Sequence, residues 1–243
     1  IGKTDITPFN DWVKELLTTG YLHNHARMWF ASVWIFTLHL PWELGADFFL
    51  RNLLDGDAAS NTLAWRWVAG LHTKNKTYLA TASNIRKCSS ERFTDPCDHS
   101  LGLKRLATTT QPQQENLSPG ALQNTPIEWP KPMSCLLGEN TVSALLVTED
   151  DLSTQIPFQP STIAALSASP RSPIAPTNEL VRQFSASAIE DTLQRLAEET
   201  SAHVVEQAMS EEEIVAWAVE QKVEQLFHPY APSGPTQMRL RNL

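Results

Sequence analysis

The chain has 243 residues, 42% of them hydrophobic, and a formal net charge of −8 at pH 7. This length and apolar content allow one large or two ordinary domains with a real hydrophobic core. His39 and Pro41 close the most apolar stretch before it reaches the roughly 18 residues of a bilayer-crossing segment, so we predict no membrane span. The first residues show no secretory signal, and we expect a cytoplasmic protein.

The negative charge belongs to the later part of the chain. Residues 1–95 hold ten Lys and Arg against nine Asp and Glu, or +1, whereas the other 148 residues hold nine against eighteen, or −9. Nucleic-acid binding needs local rather than total positive charge, so the sum does not exclude it.

The cysteines and the first residue lead to two further expectations. The three cysteines, Cys88, Cys97 and Cys135, have neither zinc spacing nor an even number, which predicts reduced cytosolic thiols. The chain starts at Ile1, within the approach to a helix, and we expect a fragment or a processed product.

Four helices are predicted in the first 70 residues. The first begins with Thr7 as a hydroxyl cap and Pro8 in its first turn, and Gly20 ends it. The second, over 22–40, carries aromatic residues nearly all round and is expected to be buried on most sides. Pro41 separates it from the third. The third and fourth helices cover about 42–54 and 58–69, with Phe48, Phe49 and Leu53 expected inside.

Polar and aromatic side chains meet where the fourth helix begins. Asp55, Asp57 and Asn61 stand at i, i+2 and i+6, where a turn enters a helix whose free N–H groups and dipole suit polar ligands. Trp65 lies four residues beyond Asn61, so both share one helix face. Arg27 is placed to pair with Asp55, because a buried carboxylate needs a cationic partner to stay ionised. This pattern predicts a site for a large, flat heteroaromatic ligand.

Two motifs give these residues a family resemblance. The first is Thr-Gly-aromatic-x-His-Asn-x-x-Arg-Met, present here from Thr19 to Met28. The second is Asp-Gly-Asp-x-Ala-x-Asn followed by two tryptophans, present without a gap from Asp55 to Trp67. Residues from about 4 to 87 thereby resemble the C-terminal part of the FAD-binding helical domain of the photolyase and cryptochrome family.

The resemblance implies FAD as the cofactor. Asp55 and Asp57 then lie near the isoalloxazine edge and the FAD sugar, and Asn61 faces the nitrogen of the central flavin ring. Asn24 lies at the boundary between flavin and substrate. Upstream helices supply part of the diphosphate and adenine contacts in the family, so the chain is expected to form an incomplete pocket. The residues implied for cofactor binding are Asn24, Arg27, Asp55, Asp57 and Asn61.

The resemblance also implies roles in electron transfer and substrate binding. Trp65 and Trp42 match the first two tryptophans of the family's photoreduction relay, and with Asn61 they form the predicted catalytic set. The third relay residue lies upstream, and Trp29 or Trp34 is an alternative to it, although core packing is the plainer interpretation of both. The residues implied for contact with a pyrimidine dimer in damaged DNA are Tyr21, Asn24 and Trp67.

Simpler interpretations exist for several of these residues. Asp55 and Asp57 also fit as helix caps, and an asparagine such as Asn24 within a helix is usually solvated. His23 and His25, at i and i+2 on a helix, are expected to point apart, and we predict no metal site.

The remaining chain is expected to contain a linker and a second domain. We predict a helical region over 1–93, a partly disordered linker over 94–140 with Trp129 anchored, and a small parallel-sheet α/β domain over 141–243. Residues 71–84 are predicted as a loop. The predicted strands of this domain are 143–148, 163–166, 203–206 and 224–227, and its predicted helices are 178–199 and 210–221.

The resulting hypothesis is a mostly α photolyase-type flavoprotein in which light drives electron transfer from reduced FAD to split pyrimidine dimers in DNA. A cryptochrome-like photoreceptor, signalling to a protein partner through the acidic C-terminal domain, is the alternative from another class. A remnant without cofactor is the third possibility.

Overall fold

The computed structural model describes residues 2–73, 77–90, 92–93, 101–108 and 141–243. They separate into two compact units. The helical unit contains the described residues of 1–117 together with a return segment, Pro170–Val181. The sheet unit contains those of 118–169 together with Arg182–Leu243. No helix in the described part of the chain is long and apolar enough to cross a membrane.

The helical unit begins with α1 (Thr7–Thr19), which ends as predicted but has a different residue at its N-terminal cap. Gly20 ends the helix in the left-handed conformation, with φ 67°, as predicted. Thr7 is not the cap, because Ile6 occupies that position and Thr7 is already helical. The Thr4 hydroxyl accepts a hydrogen bond from the Ile6 N–H at 3.1 Å and so provides the local polar contact.

The second predicted helix is shorter and changes its winding. α2 (Asn24–Ser32) starts after His23, and Val33–Thr37 continue as a π-helical turn. The N–H of Leu38 bonds to Val33 O at 2.9 Å, five residues back, which gives the wider winding. The chain leaves this turn through His39, with φ 53°, and Pro41. A single α-helix over 22–40 was therefore wrong.

The aromatic core forms where side chains of α2 meet those of α3 (Trp42–Asn52) and α4 (Ala58–Val68). Phe30, fully buried, lies at its centre. Its ring is 4.6 Å from Phe9 and 4.8 Å from Phe49, measured between centroids. Phe48, Phe49 and Leu53 are buried as predicted. Further rings lie 5.9–6.3 Å from Phe30, those of Trp34, Phe48 and Trp65.

Two short helices lie where loop or linker was predicted. α5 (Ala82–Cys88) begins inside the predicted 71–84 loop, capped by the Thr81 hydroxyl, and buries Ile85. Residues Leu103–Thr108 form a 3₁₀ helix whose Leu103 belongs to the core of the helical unit. Apolar residues spaced along an otherwise polar stretch supply these contacts. The predicted anchoring of Trp129 lies outside the described residues.

The sheet unit contains four parallel strands in the order β3-β2-β1-β4, which confirms the predicted parallel sheet. Alternate residues of β1 contribute to different clusters: Leu145 packs with Ile189, and Leu146 with Trp217. Its helices lie in the order expected, and the predicted capping box of Ser210 and Glu213 is present. The last helix, α8, was not predicted. The elements are β1 (Ser143–Val147), β2 (Thr162–Ala165), α6 (Glu179–Glu199), β3 (His203–Val204), α7 (Glu211–Glu220), β4 (Gln225–Phe227) and α8 (Pro235–Leu240).

An ion pair makes the sheet unit sensitive to acid. Glu211 accepts hydrogen bonds from Arg239 at 2.7 and 2.8 Å. This contact lowers the pKa of Glu211 from 4.5 to about 2. A depressed carboxylate pKa contributes stability at neutral pH that disappears as the pH falls from about 4.5 towards about 2.

We therefore expect Glu211→Gln to reduce the dependence of stability on pH in this range. Acid titrations followed by far-ultraviolet circular dichroism would measure it, with the neighbouring Glu212→Gln as the control. Identical acid transitions in the wild type and Glu211→Gln would contradict the prediction.

Candidate functional site

A cavity of about 400 Å³ opens between α2, the turn after α3, and α4. This volume lies within the range of roughly 300–1,000 Å³ that is typical of small-molecule sites. The predicted site residues that line it are Asn24, Arg27, Asp55, Asp57, Asn61, Trp65 and Trp67.

A guanidinium–carboxylate pair forms one side of the cavity. Arg27 Nη2 donates to both Asp55 oxygens, at 3.0 and 2.9 Å, and Arg27 Nε donates to the Leu22 carbonyl at 2.8 Å. The predicted pair is present, but the expected burial is not: the Asp55 side chain is 59% exposed and that of Arg27 26%. Arg27 is therefore fixed at two points, while Asp55 keeps access to the cavity.

Asp57 is a helix cap, which was the simpler interpretation of this residue. Its Oδ1 accepts the N–H of Ser60 at 2.6 Å, which caps α4. The same residue lines the cavity, so capping fixes a carboxylate beside it.

Asn61 has its amide orientation set by the backbone of α3. Its Nδ2 donates to the Ala46 carbonyl at 2.8 Å. Since a carbonyl accepts only from the NH₂ group, this contact determines which end of the amide is which. Asn61 therefore offers its oxygen as an acceptor for a further partner.

Trp65 closes the apolar side of the cavity. It is 2% exposed, and its ring lies edge-on to Phe49 at 5.0 Å and to Trp34 at 6.2 Å. Gly45 makes this packing possible: a β-carbon there would overlap the Trp65 ring and lie 3.1 Å from Trp34 Nε1.

We expect Gly45→Ala to destabilise the helical unit by about 1–3 kcal/mol through overpacking. Helix propensity alone predicts the opposite, a gain of roughly 0.5–1 kcal/mol from replacing a mid-helix glycine. Urea unfolding followed by tryptophan fluorescence shows whether the free energy of unfolding falls or rises. Leu44→Ala, at the exposed neighbouring position, serves as the control.

Three further predicted residues each contact an aromatic ring or an arginine: Trp67, Tyr21 and Trp42. Trp67 is partly exposed and its ring stacks on Tyr78 at 5.8 Å, where burial raises the pKa of the Tyr78 hydroxyl. Tyr21 is 52% exposed and does not line the cavity, although the Arg27 guanidinium lies 5.7 Å from its ring. Trp42 also lies outside the lining, half-buried beneath Arg66 at 5.9 Å.

The cavity also contains residues that the sequence analysis missed. Helical spacing could have indicated three of them: Ala31 stands four residues after Arg27, Ala64 three after Asn61, and Val68 four after Ala64. The lining residues that were missed are Met28, Ala31, Phe49, Leu53, Gly56, Ser60, Ala64 and Val68.

The two histidines do not point apart. His23 and His25 stack at 5.7 Å with an angle of 7° between their rings. His23 is the N-cap of α2, with φ −58° and ψ 144°, so helical spacing does not govern its side chain. Within the described ranges, no group of three or more His, Cys, Asp or Glu could hold a metal ion.

The helical unit thus contains a cavity with a polar rim and an apolar, partly aromatic wall. Residues 8–99 match the family model described as the FAD binding domain of DNA photolyase. Residues 8–99 of the helical region are therefore similar to the FAD-binding domain of DNA photolyase, which supports FAD as the cofactor. The lining fits this cofactor, because a fixed amide oxygen and an ion pair face an apolar wall.

Curated relatives agree with this assignment. A deoxyribodipyrimidine photo-lyase of Streptomyces griseus is 45% identical over 64 residues, which cover 26% of this chain and 14% of the relative. That of Vibrio cholerae is 35% identical over 95 residues, 39% of this chain and 20% of the relative. That of Escherichia coli is 35% identical over 78 residues, 32% and 16% respectively. The chain thus spans 14–20% of these relatives. No solved structure matches.

Proposed function

We propose that the protein is a photolyase-type lyase that uses light to split pyrimidine dimers in DNA. The observation that supports this most directly is the single cavity shared by the Arg27–Asp55 pair, the oriented amide of Asn61 and the indole of Trp65. Bound FAD supplies light absorption and electron transfer, and the chain supplies binding, orientation and electrostatics.

The polar residues of the cavity are proposed to hold the flavin. Arg27 fixes Asp55 beside the ring system, and Asp57, itself fixed as the α4 cap, binds towards the sugar. Asn61 presents an acceptor oxygen because its NH₂ group is bound to Ala46. Asn24, exposed at the start of α2, is proposed to contact both flavin and substrate.

Trp65 and Trp42 are proposed as the electron relay. The Trp65 ring lines the cavity but is buried among other aromatic rings, so it has little contact with water. Trp42 precedes Gly45 by three residues on α3, at the helix that contacts Trp65. Its partial exposure suits the outer position of a relay.

The substrate face is proposed to include Tyr21 and Trp67. Both rings are accessible, at 52% and 36% exposure, and can stack on unpaired bases. Damaged DNA is the proposed partner because an extruded base is the form in which such enzymes reach their target.

The proposed function is tested in two steps. Absorption spectra after FAD addition and desalting measure cofactor retention in the wild type and in Asn61→Ala. An oligonucleotide with one pyrimidine dimer is then illuminated with blue light in the presence of protein loaded with FAD that has been chemically reduced. We expect light-dependent loss of the dimer, no loss in the dark, and preferential binding over the undamaged oligonucleotide. Retained FAD with an intact dimer would contradict the lyase proposal.

A further inference from the structure

The return segment packs on the end of α3, next to the turn that carries Asp55. The N–H of Asn178 donates to the Arg51 carbonyl at 2.9 Å, and its side-chain amide donates to Asn52 Oδ1 at 3.1 Å. This segment lies more than 70 residues beyond 8–99, the range that matches the family model. The return segment is therefore part of the helical unit but lies outside the two sequence motifs.

Arg171 makes the contact closest to the cavity. Its Nη1 donates to the Leu53 carbonyl at 2.7 Å and reaches the Leu50 carbonyl at 3.5 Å. These carbonyls stand at the C-terminal end of α3, where the helix dipole favours a positive charge. Leu53 O also accepts the N–H of Gly56 at 3.2 Å. Arg171 thus binds the same oxygen that closes the turn from Leu53 to Gly56.

The guanidinium also fills the space beside Gly56. A β-carbon on Gly56 would lie 2.9 Å from Arg171 Nη1 and 3.1 Å from the carbonyl oxygens of Leu50 and Leu53. Gly56 separates Asp55 from Asp57 and lines the cavity with them. One cation from a distant part of the chain therefore packs against the backbone between two carboxylates of the site.

We propose that Arg171 is a positioning residue of the flavin site. It holds the turn Leu53–Asp57 so that Asp55 meets Arg27 and Asp57 caps α4, and in this way it sets the cavity before FAD binds. The inference rests on the roles proposed above for Asp55 and Asp57. It extends the flavin site to a residue outside the range that the family model matches.

Arg171→Ala is expected to weaken FAD binding about tenfold, because hydrogen bonds from a charged donor are among the stronger polar contacts. Arg171→Lys keeps the charge and is expected to recover part of the loss. FAD titrations followed by absorbance measure both. Arg195→Ala removes an exposed arginine paired with Asp191 and is the control.

A readout at saturating FAD separates positioning from general destabilisation. Displaced carboxylates alter the circular dichroism of the bound flavin, whereas a merely less stable protein, once saturated, gives the wild-type spectrum. Gly56→Ala is expected to mimic Arg171→Ala, and the double variant is expected to cost less than the sum of the two. Strict additivity together with an unchanged flavin spectrum would overturn the proposal.

Hydrogen exchange of the FAD-free protein tests the same claim without the cofactor. We expect the Gly56 amide, bound to Leu53 O, to exchange faster in Arg171→Ala and Arg171→Lys than in Arg195→Ala. If the wild type retained no FAD, the proposed function would fail, yet this comparison would still decide the role of Arg171. Equal exchange in all four proteins would overturn it.

Discussion

Replacing Phe30 with alanine is expected to lower the free energy of unfolding of the helical unit by about 3–5 kcal/mol. Phe30 is fully buried and has five aromatic rings within 6.3 Å of its own, so the cavity left behind cannot collapse without moving several large side chains. Urea unfolding measures the change. Tryptophan fluorescence reports mainly on this unit because six of the eight tryptophans lie within residues 1–93.

Leu63→Ala is the control for that experiment. Leu63 lies on α4 of the same helical unit but is 51% exposed, so we expect a change of no more than about 0.5 kcal/mol. Similar losses at the two positions would mean that the cluster around Phe30 is not the core of the helical unit.

Asp55→Ala is expected to weaken FAD binding between about 10- and 100-fold while changing stability little. Hydrogen bonds to charged groups are worth about 1.5–3 kcal/mol, and the variant loses those that Asp55 provides, directly or through Arg27. The pair itself is largely exposed, and such pairs contribute about 0–1 kcal/mol to folding. FAD titration and urea unfolding of the same protein measure the two quantities.

Asp191→Ala removes one carboxylate of another exposed arginine pair and is the control for charge alone. A large loss of stability in Asp55→Ala with unchanged FAD affinity would assign the residue to the fold instead of the site.

Local sequence signals predicted seven of the fifteen residues that line the cavity. Asn61 and Trp65 share a face because helical spacing places them together, and Asp57 lies at the helix start where caps belong. Gly20 and the Ser210–Glu213 box marked helix ends correctly for the same reason. These features depend on neighbours within four or five residues, which is the range that sequence patterns describe.

The features that were missed depend on distant contacts. Leu101, Leu103 and Leu106 form a short apolar pattern, but nothing in that pattern indicates that Leu103 packs in the aromatic core. The π-helical turn after Ser32 interrupts a pattern that continues to look helical. Arg171 lies in a stretch of proline and serine, and its partners are backbone carbonyls more than 115 residues away. Every residue type has a backbone carbonyl, so no sequence motif could have predicted this contact.

The return segment also affects the order in which the protein can fold on the ribosome. The polypeptide leaves the helical unit, passes through β1 and β2, and only then provides residues 170–181. At translation rates of about 5–20 residues per second, residues 170–181 are synthesised on the order of several seconds after the rest of the helical unit. During that interval the Asp55 turn lacks Arg171. Nascent chains stalled before residue 170 should therefore hold this turn less firmly than chains released after it.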